Sequence, residues 1–192
     1  MKNRPRFHNC AVAALFALAF VAGPAALPAF AVDQTKLDDL FSRLKEVKDP
    51  GQAGRIEAEI QIEWARSGSA TVDLLMQRGE DAMAAGNFLA AVEHYTAVID
   101  HAPDFLLAWD ARATALYSLG EIGPALSDMG HVLAQDPRHY DVLAGLGQIL
   151  EETGDTKKAL QAYLAAQAIH PYILPVNDAI TRLQTDLEGR EL

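Results

Sequence analysis

Five histidines, His94, His101, His131, His139 and His170, are spread through the body of the chain. A metal held on one helix face needs two imidazoles a turn apart, and no two of these stand at i, i+4. His101 and His170 fall near the ends of apolar stretches of helical period, where the negative end of a helix favours an imidazolium. The run SGSATVD, 67–73, offers hydroxyls without a GxSxG elbow; Ser69 or Thr71 suits the cap of a following helix better than a nucleophile's place. AGLGQIL, 144–150, has two glycines but lacks both the third glycine and the preceding strand of a dinucleotide loop. The sequence contains no HExxH, CxxC or Walker loop. What chemistry it does offer is charge pairing. Arg78 and Arg112 stand inside apolar helical stretches, where a buried guanidinium must be met. Asp128 is the expected partner of Arg112; an arginine reserved for a ligand is the alternative. No catalytic residue, metal or cofactor is expected.

The elements that would position these groups follow from patterning. The chain has 192 residues, half of them hydrophobic, and a net charge of −10. That leaves room for a packed core and excludes phosphate-backbone binding, which needs clustered Lys and Arg. Residues 1–31 read as a signal peptide. Lys2, Arg4 and Arg6 precede the short apolar run AVAALFALAFVAG, and Ala29-Phe30-Ala31 gives the small-x-small cleavage site. An uncleaved anchor is the alternative, though the run is short for a bilayer. Cleavage after Ala31 would remove the lone Cys10, leaving a periplasmic chain stabilised by packing alone, with no stable membrane insertion.

Three blocks then repeat: GNFLAAVEHYTAVIDHAP, GEIGPALSDMGHVLAQDP and GDTKKALQAYLAAQAIHP, with their glycines and prolines 34 residues apart. Ala91, Ala125 and Ala159 match as a small position, and Tyr95, Met129 and Tyr163 as a large one. Helical stretches at 72–85, 106–119 and 140–153 precede the blocks. Gly79, Ala113 and Gly147 are their shared small position, and Leu75, Trp109 and Leu143 their shared large one. Small residues on two facing helices let the backbones approach, while large ones fill the flanks. Gly86, Gly120 and Gly154 end the first helix of each unit, and the proline ends the second.

A 34-residue period with these sizes resembles the tetratricopeptide-repeat (TPR) family over 72–173, as repeats 72–105, 106–139 and 140–173. Arg78 and Arg112 depart from that family's usual Leu, which Leu146 keeps. The resemblance implies an all-α right-handed solenoid of antiparallel helix pairs. Residues 174–192 read as a capping helix and tail, with Val176, Ile180, Leu183 and Leu187 on one face. Residues 32–71 read as a further helix pair, a degenerate repeat or cap at the opposite end of the stack. It would bury Leu37, Leu40, Phe41 and Leu44 with Ile56, Ile60 and Trp64. About nine helices are expected in all.

In this family first helices line a concave groove for a peptide or helix. The resemblance implies a lining of Asp73, Met76, Gln77, Glu80 and Met83, then Asp110, Thr114 and Tyr117, then Asp141, Gln148, Glu151 and Glu152. Arg138 and His139 would stand at its edge. The Lys, Asn and Arg of a carboxylate clamp are replaced by Met, Glu, Asp and Thr. Acids with interleaved Met and Tyr suit a basic or amphipathic segment of a protein partner; a merely solvated acidic face is the alternative. The chain is also similar to small exported TPR proteins of Gram-negative, particularly alphaproteobacterial, bacteria. The expected function is a non-catalytic periplasmic scaffold or assembly factor, or else an accessory subunit in cell-wall hydrolysis or cytochrome maturation.

Overall fold

The computed structural model describes residues 32–190; the signal-peptide reading of 1–31 lies outside the described residues. Nine α-helices and no strands occur among those described: α1 Gln34–Glu46, α2 Pro50–Trp64, α3 Ala70–Ala84, α4 Phe88–His101, α5 Leu106–Ser118, α6 Ile122–Gln135, α7 Tyr140–Glu152, α8 Thr156–Ile169 and α9 Leu174–Arg190. From α3 onward each helix packs on the next, so the chain is an all-α solenoid.

Local chemistry sets the helix ends. Ser69 caps α3 by accepting from the Val72 N–H at 3.4 Å, while Asn87 and Asp155 cap α4 and α8. Gly86, Gly120 and Gly154 adopt φ of 70°, 80° and 87°. Each closes its first helix with the same pair of bonds. The glycine N–H donates to Met83, Tyr117 or Glu151, and the next N–H to Ala82, Leu116 or Leu150, at 2.8–3.0 Å. Only glycine takes that left-handed turn without strain, so three glycines at one period give three identical reversals.

The small positions do what their spacing predicts, and in a size-matched way. Ala91, Ala125 and Ala159 are fully buried. A Cβ at Gly147 would lie 2.6 Å from the Tyr163 ring, and one at Gly79 would press closer still on Tyr95. In the middle repeat Ala113 replaces glycine and the thinner Met129 replaces tyrosine, both buried in one cluster. The helix pair keeps its volume by trading a methyl group against ring thickness.

Stacking between repeats explains the two arginines. Ala108 and Val142 are buried against the preceding repeat, whereas Leu74, at the same repeat position, is 52% exposed because no helix pair stacks in front of α3. Arg112, 17% exposed on its side chain, gives Nε and Nη2 to Asp128 at 2.7 and 2.9 Å and Nη1 to Thr96 at 3.1 Å. The expected Arg112–Asp128 pair is present, and through Thr96 it also ties the first repeat to the second. The expectation that Arg78 is likewise buried is corrected: on the unstacked face of α3 it is exposed and meets solvent.

Helix α9 covers the last repeat with Val176, Ala179, Ile180 and Leu183. The N-terminal pair differs from expectation. Its apolar faces do close on each other through Leu37, Leu40, Leu44, Ala53, Ile56 and Ile60. The pair does not continue the stack beyond α3, however. It folds back and joins the core of the third repeat around Tyr140, with α1 against α8. Glu63, fully buried inside this pair, is held by Lys36 Nζ at 2.9 Å and the Asp33 N–H at 3.3 Å.

Candidate interaction surface

The first helices α3, α5 and α7 bring most of the sequence-predicted lining together, in two stretches of different character. At the α3 end, Asp73, Gln77 and Glu80 are exposed and border a cleft of about 160 Å³ with Phe105 and Leu107. Asp73 is fixed by the Ser67 hydroxyl, and Gln77 by its own i+4 bond to Asp81 at 3.1 Å. Two residues are corrected here. Met76 touches this cleft but is buried in the core, and Met83 is half-buried against the same cluster, so neither is a free adaptable contact. Both fall where α3 turns its apolar stripe toward α4.

Between α5 and α7 the polar groups engage one another. Tyr117 donates to Glu152 at 2.6 Å; Gln148 donates to the Tyr117 oxygen and to Glu152, both at 3.1 Å. These bonds hold the Glu152 carboxyl below its ordinary pKa and lift the Tyr117 phenol. Thr114 is exposed, its hydroxyl turned back to the Asp110 carbonyl at 3.2 Å. Glu151 is not a free acid. Arg182 of α9 grips it, with Nη2 at 3.1 Å, and Tyr163 donates to it at 3.3 Å, so its pKa is lowered chiefly by the arginine. Burial, and then the charge of Asp141, push the half-buried Asp110 carboxyl up to about 7. Asp141 keeps solvent on one side, yet the protein around its carboxylate strips enough water to raise it too. The uniformly acidic groove read from the sequence is therefore corrected. Of its acids, Glu151 is neutralised by an ion pair, and Asp110 and Asp141 are held toward the protonated form.

The groove edge is corrected most strongly, because the N-terminal pair lies on it. His139 is 1% exposed and stacks on Trp64 with ring centroids 4.0 Å apart and planes 3° from parallel. Burial lowers its pKa to about 4, so it is neutral at physiological pH. Arg138 donates to Asp38 of α1 at 2.6 Å and lies 4.5 Å over the Phe41 ring. Gln61 donates to Asp141 at 2.6 Å, and the Trp64 indole N–H donates to Asp136 at 3.3 Å. Below the pair, a cleft of about 340 Å³ runs between α1, Trp64 and the 104–107 and 135–139 turns. Gln61 and Asp136 escaped sequence reasoning. The available signal for Gln61 was the polar pair Glu57 and Gln61 at i, i+4, beside the apolar stripe that buries α2 on α1. Among the described residues no helix is long and apolar enough to cross a membrane.

This repeat geometry defines the protein's class, and comparison with known proteins agrees. The tetratricopeptide-repeat family model matches residues 76–128 and 111–172. The chain belongs to the tetratricopeptide-repeat family. It is similar to a TPR repeat-containing protein of Rhizobium etli, 33% identical over 190 residues, spanning 92% of this chain and 93% of that one. Among solved structures it is similar in fold to the first TPR of Spaghetti (RPAP3) bound to HSP90 peptide SRMEEVD, with TM-score 0.59 and 18% identity, covering 62% of this chain and 95% of that one. It also resembles MamA of AMB-1, with TM-score 0.53 and 18% identity, covering 82% and 84% of the two chains.

Proposed function

We propose that the protein is a non-catalytic interaction module of the periplasm that holds a protein or peptide partner along its first helices. The observation that carries this reading is the polar row of α3 and α5, Asp73, Gln77, Glu80 and Thr114, which stays exposed while the opposite sides of the same helices are buried. Side chains kept in water beside clefts, on a scaffold fixed by packing, suit recognition more than stability. A TPR domain similar in fold was solved bound to an HSP90 peptide, which supports a peptide ligand for this chain. The periplasmic part rests on the 1–31 pattern. With Glu151 paired to Arg182 and the Asp110 carboxyl raised to about 7, the partner segment is amphipathic more than simply basic. The accessory-subunit role remains the second reading, since a partner held this way can itself be an enzyme.

Two experiments test the proposal. Intact-mass measurement on protein from a periplasmic fraction should find Val32 as the N-terminus; a membrane species starting at Met1 would reject export by cleavage. The immobilised chain should enrich a defined partner from periplasmic extract, and a Gln77→Ala, Thr114→Ala variant should lose it. Capture that ignores these substitutions would move the site off the first helices.

A further inference from the structure

The N-terminal pair touches the repeats through a surface with a definite chemistry. On the repeat side stand Arg138, His139 and Tyr140 from the α6–α7 turn and the start of α7, and His170 with Tyr172 from the α8–α9 turn. On the N-terminal side, Asp38 meets Arg138 at 2.6 Å, and Glu57 lies 3.3 Å from His170 Nε2. Aromatic rings fill the space between. Phe41 stands edge-on to Tyr140 at 6.5 Å, and Trp64 is stacked flat on His139. Gln61 reaches Asp141 and, at 3.4 Å, the Tyr140 hydroxyl, and Tyr172 donates to the Val47 carbonyl at 3.1 Å. Acids thus meet cationic or cation-capable groups, and rings meet rings, as at an interface between separate molecules.

The connection to the rest of the chain is short. Only 65–69 join α2 to α3, and α1–α2 otherwise engage the third repeat and its junction with the second. We propose that this edge of the third repeat is a helix-docking surface, occupied in cis by α1–α2, whose partner in trans is an amphipathic helix bearing acidic and aromatic residues. The inference goes beyond the interaction function proposed above: it adds a second docking surface with its own partner chemistry, and a latch. A five-residue tether gives the cis occupant an effective concentration on the order of millimolar, so a free helix of equal intrinsic affinity is outcompeted. The closed latch lowers the apparent affinity of a trans ligand by the fraction of molecules that are open.

The probe is a fluorescent peptide of residues 33–66, titrated into the full chain. Wild-type protein should bind it weakly. A Gln61→Ala, Trp64→Ala chain, whose changes lie in the latch and leave the docking surface intact, should bind at least 10-fold more tightly. Adding Arg138→Ala should abolish that gain. Equal binding by wild type and the latch variant, or a gain indifferent to Arg138, overturns the proposal. Should the latch variant lose its helical melt, native-state hydrogen exchange on the unmodified chain decides. The latch requires α1–α2 amides to open in a lower-energy step than α4–α8; one shared unfolding step overturns it. Partner capture by the first helices is measured separately, so the latch can fail while the interaction function stands.

Discussion

Replacing Gly147 with Ala isolates the size matching that holds each helix pair. In an unconstrained helix interior this change stabilises by about 1 kcal/mol, because glycine has more backbone entropy to lose. Here the new methyl would lie 2.6 Å from two Tyr163 ring carbons and 2.9 Å from a third. These are atoms of a rigid ring whose residue is only 6% exposed, so the helices must part or the ring must leave its rotamer. Overpacking of that kind costs about 1–3 kcal/mol. The net effect is a loss of up to about 2 kcal/mol, or up to roughly 4–8 °C in Tm for a chain of this size. The middle repeat supplies the compensating change, since Ala113 packs in one cluster with Met129. In a Tyr163→Met background, Gly147→Ala should therefore stabilise, recovering the helix-propensity gain. Thermal melts of the four chains of this cycle give a coupling energy, expected to be at least about 1 kcal/mol. Additive effects, or a stabilising Gly147→Ala in the presence of Tyr163, would refute the size-matching argument.

Asp110 makes a pH prediction. Its folded-state pKa, raised to about 7 by burial and Asp141, lies above the unfolded value of 3.8, so the folded chain binds the extra proton between those limits. Stability from this group is present at low pH and is lost as pH rises toward and through 7. Asp110→Asn should therefore melt higher than wild type at pH 8, with the gap closing near pH 4; a gap independent of pH would rule out Asp110 as the cause. Asp128→Ala strands the Arg112 guanidinium between repeats one and two and should cost about 3 kcal/mol in chemical denaturation. The double change Arg112→Leu, Asp128→Leu, which borrows the residue type of Leu146, should recover most of that loss; equal destabilisation of both variants would show that the pair's charge is not what matters.

The repeats were legible because everything that builds them is local or periodic. A left-handed glycine and a small residue facing a large one each act within about 34 residues, and each is written three times. The Arg112–Asp128 pair could be named for the same reason, since its members are 16 residues apart in one helix pair. Arg78 occupies the equivalent position in its own repeat, but its environment depends on whether a helix pair lies in front of α3. A periodic pattern does not say where stacking begins.

The groove acids follow the same division. Their exposure on first helices was expected for most positions, but the neutralisation of Glu151 by Arg182 and the upward shift of Asp110 by burial and Asp141 need side chains from different elements to meet. The amphipathic stripes of α1 and α2 determined by sequence alone that this pair buries an apolar face. They did not determine where the pair would dock. Trp64 meets Asp136 across 72 residues, and Val47 meets Tyr172 across 125, through contacts made once and repeated nowhere. Tertiary structure alone decided that the N-terminal pair lies on the edge of the third repeat, because that choice is set by the shape and charge of a surface existing only after the repeats have stacked.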